Sequence, residues 1–243
     1  MFADLALPPE EQERARFVQQ NLDEMKTQHK RFNESLALFD YCETQRRAVG
    51  EAAPRDRFGR RMYPKLFHSM FAWQSFAGRE GAMAIWDFAA AMHLVQSNLN
   101  HCPTIKALVH RRDLGAAIAS FHAAFPDAKD IRHAVSHPVD IVGTPANQKK
   151  NAFTGSYEEA GVRITDSSNT SYAGINGRRF AVTIYGKIIG YELASASAQK
   201  LAEIANAIRA ACLDAQKYTM ERFHELLLAG KIKGTPYYTG NDE

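Results

Sequence analysis

A short run near the middle of the chain combines one arginine with two histidines. Residues 132–137 read RHAVSH, and Pro138 follows directly. Arginine carries a permanent planar cation that suits phosphate oxygens, and histidine exchanges protons near neutral pH. These residue types at this spacing could bind and cleave a phosphodiester. Arg132, His133 and His137 are therefore the candidate catalytic residues.

The proline after the run predicts where His137 lies. Proline disfavours the helical region for the residue before it, so we expect His137 in the last turn of a helix or just past it. The partial negative charge of a helix C-terminus favours a protonated imidazole there. Five positions correspond to roughly 140° of rotation on an ideal helix, so Arg132 and His137 can meet only if the last turn frays.

A purely structural interpretation of the same residues stays open. About one match to Arg-x-x-x-x-His is expected by chance in a chain of this length and composition, so the spacing alone is a weak motif. Arg132 could then be a surface cation near Asp130, and His137 a cap at the end of its helix.

A second set of cations lies in a predicted loop over residues 50–63. It contains four arginines and one phenylalanine: Arg55, Arg57, Arg60, Arg61 and Phe58. Arginines beside an aromatic ring can hold RNA by charge and by base stacking, so these four arginines are the candidate RNA-binding residues. Because Glu51 and Asp56 lie nearby, an ordinary solvated basic loop is the alternative.

Composition narrows the class of protein. The apolar fraction of 45% and the charged fraction of 23% in 243 residues are typical of a globular chain, and the net charge of +3 is compatible with a nucleic-acid partner without requiring one. Cys42, Cys102 and Cys212 are far apart without a C-x-x-C spacing, which predicts a reduced, cytoplasmic setting and no zinc ribbon. We expect no metal and no cofactor.

Two further patterns argue against membrane insertion and secretion. The most apolar stretch, residues 82–95, is interrupted by Asp87 and His93, and it is shorter than the ~20 residues that a bilayer span needs. Residues 1–4 lack the basic and apolar regions of a signal peptide.

Helical periodicity dominates the chain on both sides of a β-rich segment. The first helix, from Pro8 to about Arg47, carries a heptad-like stripe: Val18, Leu22, Met25, His29, Phe32, Leu36 and Phe39. It is either one continuous helix or broken near residues 29–33. Further helices are predicted over about 79–99, 104–124 and 127–137, and a final helix from Ser195 or Ser197 to about Leu228.

The β-rich segment follows a turn-rich link over residues 143–148. Asn176-Gly177 is a preferred hairpin turn, and Gly186-Lys187 predicts a second, so we expect an antiparallel meander of three or four strands. The predicted fold is mainly α: a single domain over residues 1–243, with a helical bundle at about 9–138 and 195–229 and a β-rich insertion at about 150–194.

This layout resembles the HEPN superfamily, whose members are helical bundles found in prokaryotic toxin, phage-defence and RNA-processing proteins. Arg132 and His137 match the family's R-x-x-x-x-H signature, and His133 stands where the family usually has a polar residue, most often asparagine. The motif closes one helix, and another helix follows after the β-rich insertion. The resemblance implies metal-independent RNA cleavage by 2′-hydroxyl attack.

The resemblance also implies roles and partners. His137 would move the proton, Arg132 would stabilise charge on the phosphorus, and His133 would orient the substrate or a partner side chain. HEPN proteins generally pair through their motif-bearing helices, so it implies a homodimer, with RNA and an antitoxin protein as partners.

Two alternatives compete with the nuclease. In the first, a non-catalytic HEPN-like protein binds RNA, a nucleotide or a protein in the same cleft. In the second, the motif is accidental and the chain is a scaffold that dimerises along the first helix, through a seam formed by Val18, Leu22, Met25, Phe32 and Leu36.

Overall fold

The computed structural model describes residues 1–159, 162–170 and 173–232. Over these ranges the chain is 70% helical, with nine α-helices and a small three-stranded antiparallel sheet before the last two. This confirms the mainly α fold class, with a β-rich segment ahead of the final helices. The helices are α1 (Pro9–Glu51), α2 (Lys65–Asn100), α3 (Pro103–Lys106), α4 (Arg111–Ala124), α5 (Ala128–Ser136), α6 (Pro138–Val142), α7 (Pro145–Asn151), α8 (Ser195–Ala211) and α9 (Leu213–Leu228).

The first helix is continuous. No break occurs near residues 29–33, because the segment from Glu10 to Gln45 contains neither glycine nor proline. The apolar side chains of its stripe are buried within the chain itself: Val18, Leu22, Met25, Phe32, Leu36 and Phe39. A stripe that is already covered cannot form a seam between two chains, so the scaffold alternative loses the surface it requires.

Two long helices predicted from the sequence are each interrupted. Residues 104–124 form α3 and α4 with a turn between them, and the final helix is divided into α8 and α9 at Cys212. A hydrogen bond connects the two interruptions: the backbone N–H of His110, just before α4, donates to the carbonyl of Ala211, at the end of α8, at 2.9 Å. This bond satisfies a carbonyl that the end of α8 would otherwise leave unpaired. The predicted turn-rich link at 143–148 is also wrong, since it includes the start of α7.

Among its described residues, the β-rich segment contains five strands in two sheets, where the sequence predicted one meander of three or four. Strands β1 (Phe153–Glu159) and β2 (Val162–Thr170) form a two-stranded antiparallel sheet. Strands β3 (Ala173–Asn176), β4 (Arg179–Ile184) and β5 (Lys187–Glu192) form the meander.

Both predicted hairpin turns exist, but their central residues differ by one position. Asn176 pairs with Arg179, so Gly177 and Arg178 form the first turn, and Gly177 has a φ of 53°. Tyr185 and Gly186 form the second turn with φ values of 51° and 73°. The favoured hairpin turns need positive φ at central positions, and this requirement fixes where the glycines lie.

The chain divides into two compact units, the first assembled from three segments and the second from two. The first comprises Met1–Thr27, Asp87–Ala123 and the segment from Lys200, and the second comprises Gln28–Trp86 and Ala124–Gln199. The single-domain organisation predicted from the sequence stays a prediction. In the first unit Phe88 and Phe121 stack with ring centroids 5.7 Å apart.

Two glycines of α2 let the meander pack closely in the second unit. The hydroxyl of Tyr191 on β5 donates to the carbonyl of Gly78. A Cβ added at Gly78 would lie 2.6 Å from the ring of Phe180 on β4, and one added at Gly81 would overlap the Tyr191 hydroxyl. Helix and sheet therefore meet at a separation that only glycine permits. No helix in the described ranges is both long and apolar enough to cross a membrane.

Gly78→Ala and Gly81→Ala should each lower the free energy of unfolding by about 1–3 kcal/mol, because the new methyl group overpacks the helix–sheet contact. Gly115→Ala is the matched control, since Gly115 is exposed in α4 and has no atom within 4 Å of its added Cβ. That change should raise the free energy of unfolding by up to about 1 kcal/mol. Urea denaturation measures all three. Equal stability of Gly78→Ala and Gly115→Ala would contradict the close packing.

His110 in the first unit should titrate above its ordinary range. Its Nε2 lies 2.9 Å from Asp214 Oδ2, and its Nδ1 lies 3.8 Å from Asp113 Oδ2. The hydrogen bond and the charge of Asp214, with a smaller contribution from Asp113, raise the pKa of His110. Protonated His110 therefore stabilises the folded state. This contribution is fully present below the unfolded-state pKa of about 6.5 and is lost as pH rises through the folded-state pKa.

NMR titration of the His110 ring protons checks this pKa. Asp214→Asn should lower the pKa of His110 towards its ordinary value, and Asp113→Asn should lower it less. A pKa that is unchanged by Asp214→Asn would show that the pair does not form.

Candidate functional site

The motif lies on the short helix α5, which the second unit holds on one side. Ala128, Ile131 and Ala134 form its buried face, which packs against β4. The hydroxyl of Ser136 lies 3.3 Å from the sulfur of Met83 on α2. The helix is thereby fixed against both a strand and a long helix, and most of its remaining residues are half-buried.

His137 caps the C-terminus of α5, as the sequence predicted. Its φ and ψ of −127° and 57° lie outside the helical region, and Pro138 opens α6 immediately afterwards. Its backbone N–H still donates to the carbonyl of His133 at 3.0 Å. The last turn of α5 is therefore closed and has not frayed.

The structure brings the two histidines of the motif together. The ring centroids of His133 and His137 lie 5.5 Å apart, with 42° between the ring planes. This is the spacing at which side chains four positions apart meet on a helix. His137 is exposed and His133 is half-buried, so the pair stands at the surface with solvent access to both imidazoles.

Arg132 is directed elsewhere. Its guanidinium carbon lies 5.8 Å from the centre of the Trp86 ring on α2, and its buried Nε has no hydrogen-bond partner among the described residues. Within the same ranges, no hydrogen bond joins Arg132 to His137. Because the last turn of α5 has not frayed, the chain does not swing His137 back towards the guanidinium. One chain alone does not assemble the Arg132–His137 pair.

A cleft lies beside this end of α5 and contains a cation that the sequence analysis missed. The cavity is ≈ 200 Å³ in volume. Its walls are mostly apolar: Arg79, Ala134, Pro138, Ile141, Val142, Ala173, Val182 and Thr183. Arg79 of α2 is exposed and makes no hydrogen bond or ion pair within the described part of the chain. Its only signal in the sequence is a charge inside an apolar helix, 53 positions before Arg132.

The other end of α5 is chemically separate from the histidines. Burial, together with the charge of Asp130, raises the pKa of Asp127 just before the helix, against the opposing charges of Arg179 and Lys187. Ten residues of helix correspond to about 15 Å, so this carboxyl does not reach His137.

The four arginines of the predicted loop differ in what they contact. Arg55 donates to the carbonyl of Gly59 at 2.6 Å, and Arg61 donates to the carbonyl of Gly50 at 2.7 Å. Arg60 forms an ion pair with Asp56 at 2.9 Å. Hydrogen bonds from the backbone N–H groups of Arg60 and Phe58 and from the Arg60 side chain lower the pKa of Asp56.

Arg57 lies against the ring of Phe58, with its guanidinium carbon 4.7 Å from the ring centre. Together these contacts make the predicted loop an ordered turn with a basic, solvent-facing tip.

A second pair of histidines lies in the first unit. The rings of His93 and His122 are 5.4 Å apart and nearly parallel, and both residues are exposed. Burial and the charge of His122 lower the pKa of His93. The pair comes from two helices, α2 and α4, and therefore left no spacing signature in the sequence. It provides a matched comparison for the pair on α5.

Other chemistries find little support in the described ranges. No group of three or more histidine, cysteine or acidic side chains there could hold a metal ion. The three cysteines are buried and unpaired, and burial raises the pKa of the Cys102 and Cys212 thiols to about 11. Thiols of that pKa remain protonated at neutral pH and are poor nucleophiles.

Comparisons with known proteins return no match: no family model, curated protein or solved structure matches the chain. The resemblance to HEPN proteins therefore stays a prediction, and the case for function depends on the geometry of this site.

Proposed function

We propose that the protein is a metal-independent endoribonuclease of HEPN type that uses His133 and His137 to move protons. The observation that carries the proposal is the approach of their rings to 5.5 Å at the exposed end of α5. The adjacent ≈ 200 Å³ cleft, with Arg79 in its lining, supports it.

The chemistry needs two proton transfers, and two imidazoles can divide them. One neutral imidazole accepts the proton of the 2′-hydroxyl as its oxygen attacks phosphorus, and one protonated imidazole donates to the departing 5′-oxygen. The 2′-oxygen–phosphorus bond forms and the phosphorus–5′-oxygen bond breaks, which leaves a cyclic phosphate and a free 5′-hydroxyl. His137, the more exposed of the two rings, is the residue that meets the substrate.

The negative charge that develops on the phosphoryl oxygens calls for a fixed cation, and two arginines are available. Arg79 belongs to the cleft of the same chain. Arg132 lies on Trp86, so it would serve His137 of another chain, in the homodimer that the HEPN resemblance implies. These two arrangements predict different behaviour when variants are mixed.

A non-catalytic RNA-binding protein is the second candidate function. The contact of Arg132 with Trp86 and its buried Nε favour it, because both give the arginine a packing role that needs no substrate. In that case the arginine-rich loop would bind RNA, and the cleft beside α5 would hold a nucleotide or a protein segment without cleaving anything.

Replacing either motif histidine should abolish cleavage if the proposal is correct. His133→Ala and His137→Ala should each reduce the rate of cleavage of a single-stranded RNA by roughly 10²–10⁴-fold, because a proton-transfer group contributes that much. A gel assay with end-group analysis for the cyclic phosphate measures this. If the protein acts as a toxin controlled by an antitoxin, expression in cells should arrest growth, and the same two variants should relieve the arrest.

The control is the double change His93→Ala and His122→Ala, which removes the other exposed histidine pair. It should leave the rate within twofold of the original, because that pair belongs to the other unit. Full cleavage by both motif variants, or loss of cleavage in the control, would contradict the assignment. RNA binding without cleavage by the unmodified protein would favour the second candidate.

Mixing two inactive proteins identifies the chain that supplies the cation. If the site is shared between chains, Arg132→Ala and His137→Ala proteins should each be inactive alone and should recover up to about a quarter of the activity when mixed, since a mixed dimer holds one intact site. If Arg79 supplies the cation within one chain, Arg132→Ala should stay active and Arg79→Ala should be inactive. Mixing Arg79→Ala with His137→Ala should then restore nothing. Trp86→Phe, which keeps a ring beneath Arg132, controls for loss of packing.

A further inference from the structure

One phenylalanine of the second unit stands in an unusual environment. The ring of Phe58 is 66% exposed at the tip of the loop between α1 and α2. The guanidinium carbons of Arg57 and Arg60 lie 4.7 and 5.2 Å from its centre. A large apolar side chain left in solvent gains none of the stability that burial would give it, and most of this ring stays open to water beside the two arginines. The ring therefore lies in solvent with two guanidinium groups close to it.

The loop that carries this ring is already ordered. Asp56 and Arg60 pair through a backbone hydrogen bond of 2.8 Å, and the N–H of Gly59 donates to the carbonyl of Asp56 at 2.9 Å. The carboxylate of Asp56 accepts from the backbone N–H groups of Phe58 and Arg60. Gly59 has a φ of 78°, which other residues rarely adopt. A ligand would therefore meet a preformed turn and would lose little affinity to loop ordering.

The charge around the ring is positive. Four arginines against Glu51 and Asp56 leave a net charge of +2 over residues 51–61. Hydrogen bonds from Arg55 and Arg61 to carbonyl oxygens position these side chains without neutralising them. The loop thus combines fixed cations, which suit phosphates, with an accessible aromatic face.

We propose that Phe58 is a stacking platform for an unpaired base, so that the RNA this protein takes is single-stranded. The inference rests on the proposed function for the nature of the ligand, and it adds the binding residue and the substrate class. The base stacks on the phenyl ring or on one of the guanidinium planes beside it, and the arginine that it displaces turns to a neighbouring phosphate.

Two other ligands fit the same observations less well. In duplex RNA the bases are stacked on each other inside the helix, and no base face is free for Phe58. A bilayer surface would attract the arginines, but insertion of the ring would carry two guanidinium groups towards the hydrocarbon, which is costly. An unpaired strand can stack a base on the ring and place its phosphates beside the arginines.

The probe for the test is a 12-nucleotide 2′-O-methyl RNA with one 2-aminopurine base. It cannot be cleaved by 2′-hydroxyl attack, and its fluorescence falls when the base stacks. Phe58→Ala should weaken binding in an anisotropy titration by roughly 5- to 150-fold, the range for loss of one stacked base, and should abolish the fluorescence change. Phe58→Trp should retain both. Tyr41→Ala is the matched control, because Tyr41 is 61% exposed in α1 of the same unit and should bind like the original.

Several outcomes would overturn the platform. One is unchanged binding by Phe58→Ala, and another is equal or tighter binding of a duplex made from the same probe. A third is Phe58-dependent sedimentation with phosphatidylserine vesicles while RNA binding is unaffected. Because the probe is not cleaved, failure here leaves the proposed catalytic role of His133 and His137 standing. Conversely, if the unmodified protein binds RNA through Phe58 but does not cleave RNA, the stacking platform is upheld and the nuclease is rejected.

Discussion

The attachment of α5 to the second unit is the constraint on which the candidate site depends. The helix has only nine residues, too few to be stable alone, and its small buried residues hold it against β4. The helix ends at Ser136, two positions before Pro138, and that stop makes His137 a cap. The position of both imidazoles follows from this packing and this stop, because the cap residue keeps its backbone hydrogen bond to His133 and its ring stays beside the ring one turn earlier.

The arginines of the second unit fall into two groups with different consequences. Some donate to protein oxygens: Arg55 to the Gly59 carbonyl, Arg60 to Asp56, and Arg61 to the Gly50 carbonyl. Others make no hydrogen bond or ion pair in the described ranges and leave the whole guanidinium to a ligand: Arg79 in the cleft and Arg57 beside Phe58. A count of arginines along the sequence does not separate these groups, because each contact depends on which protein group lies beside the guanidinium in the folded chain. The available cations lie beside an apolar cleft and beside an exposed ring, and these two places shape the proposed RNA-binding surface.

Helical periodicity and the positions of proline and glycine predicted much of the fold. The heptad-like stripe of α1, the proline after His137 and the turn glycines at 177 and 186 each act on their own neighbours, so these features were placed to within a residue or two. Two of the misses have a common cause. The interruption at Cys212 and the turn before α4 are joined by a hydrogen bond between His110 and Ala211, and residues about a hundred positions apart leave no local pattern for such a contact. The sequence did not indicate Arg79 for the same reason, since only folding brings α2 to the end of α5.

By itself the sequence determined the mainly helical architecture, the β-rich segment, the helix end at His137 and the arginines around Phe58. Each of these follows from backbone preferences and spacings that act within about ten residues. Only the tertiary structure decided that Arg132 packs against Trp86, and that the stripe of α1 is covered by its own chain. Those outcomes depend on which distant surface each side chain meets, and such contacts form only when the whole chain is packed.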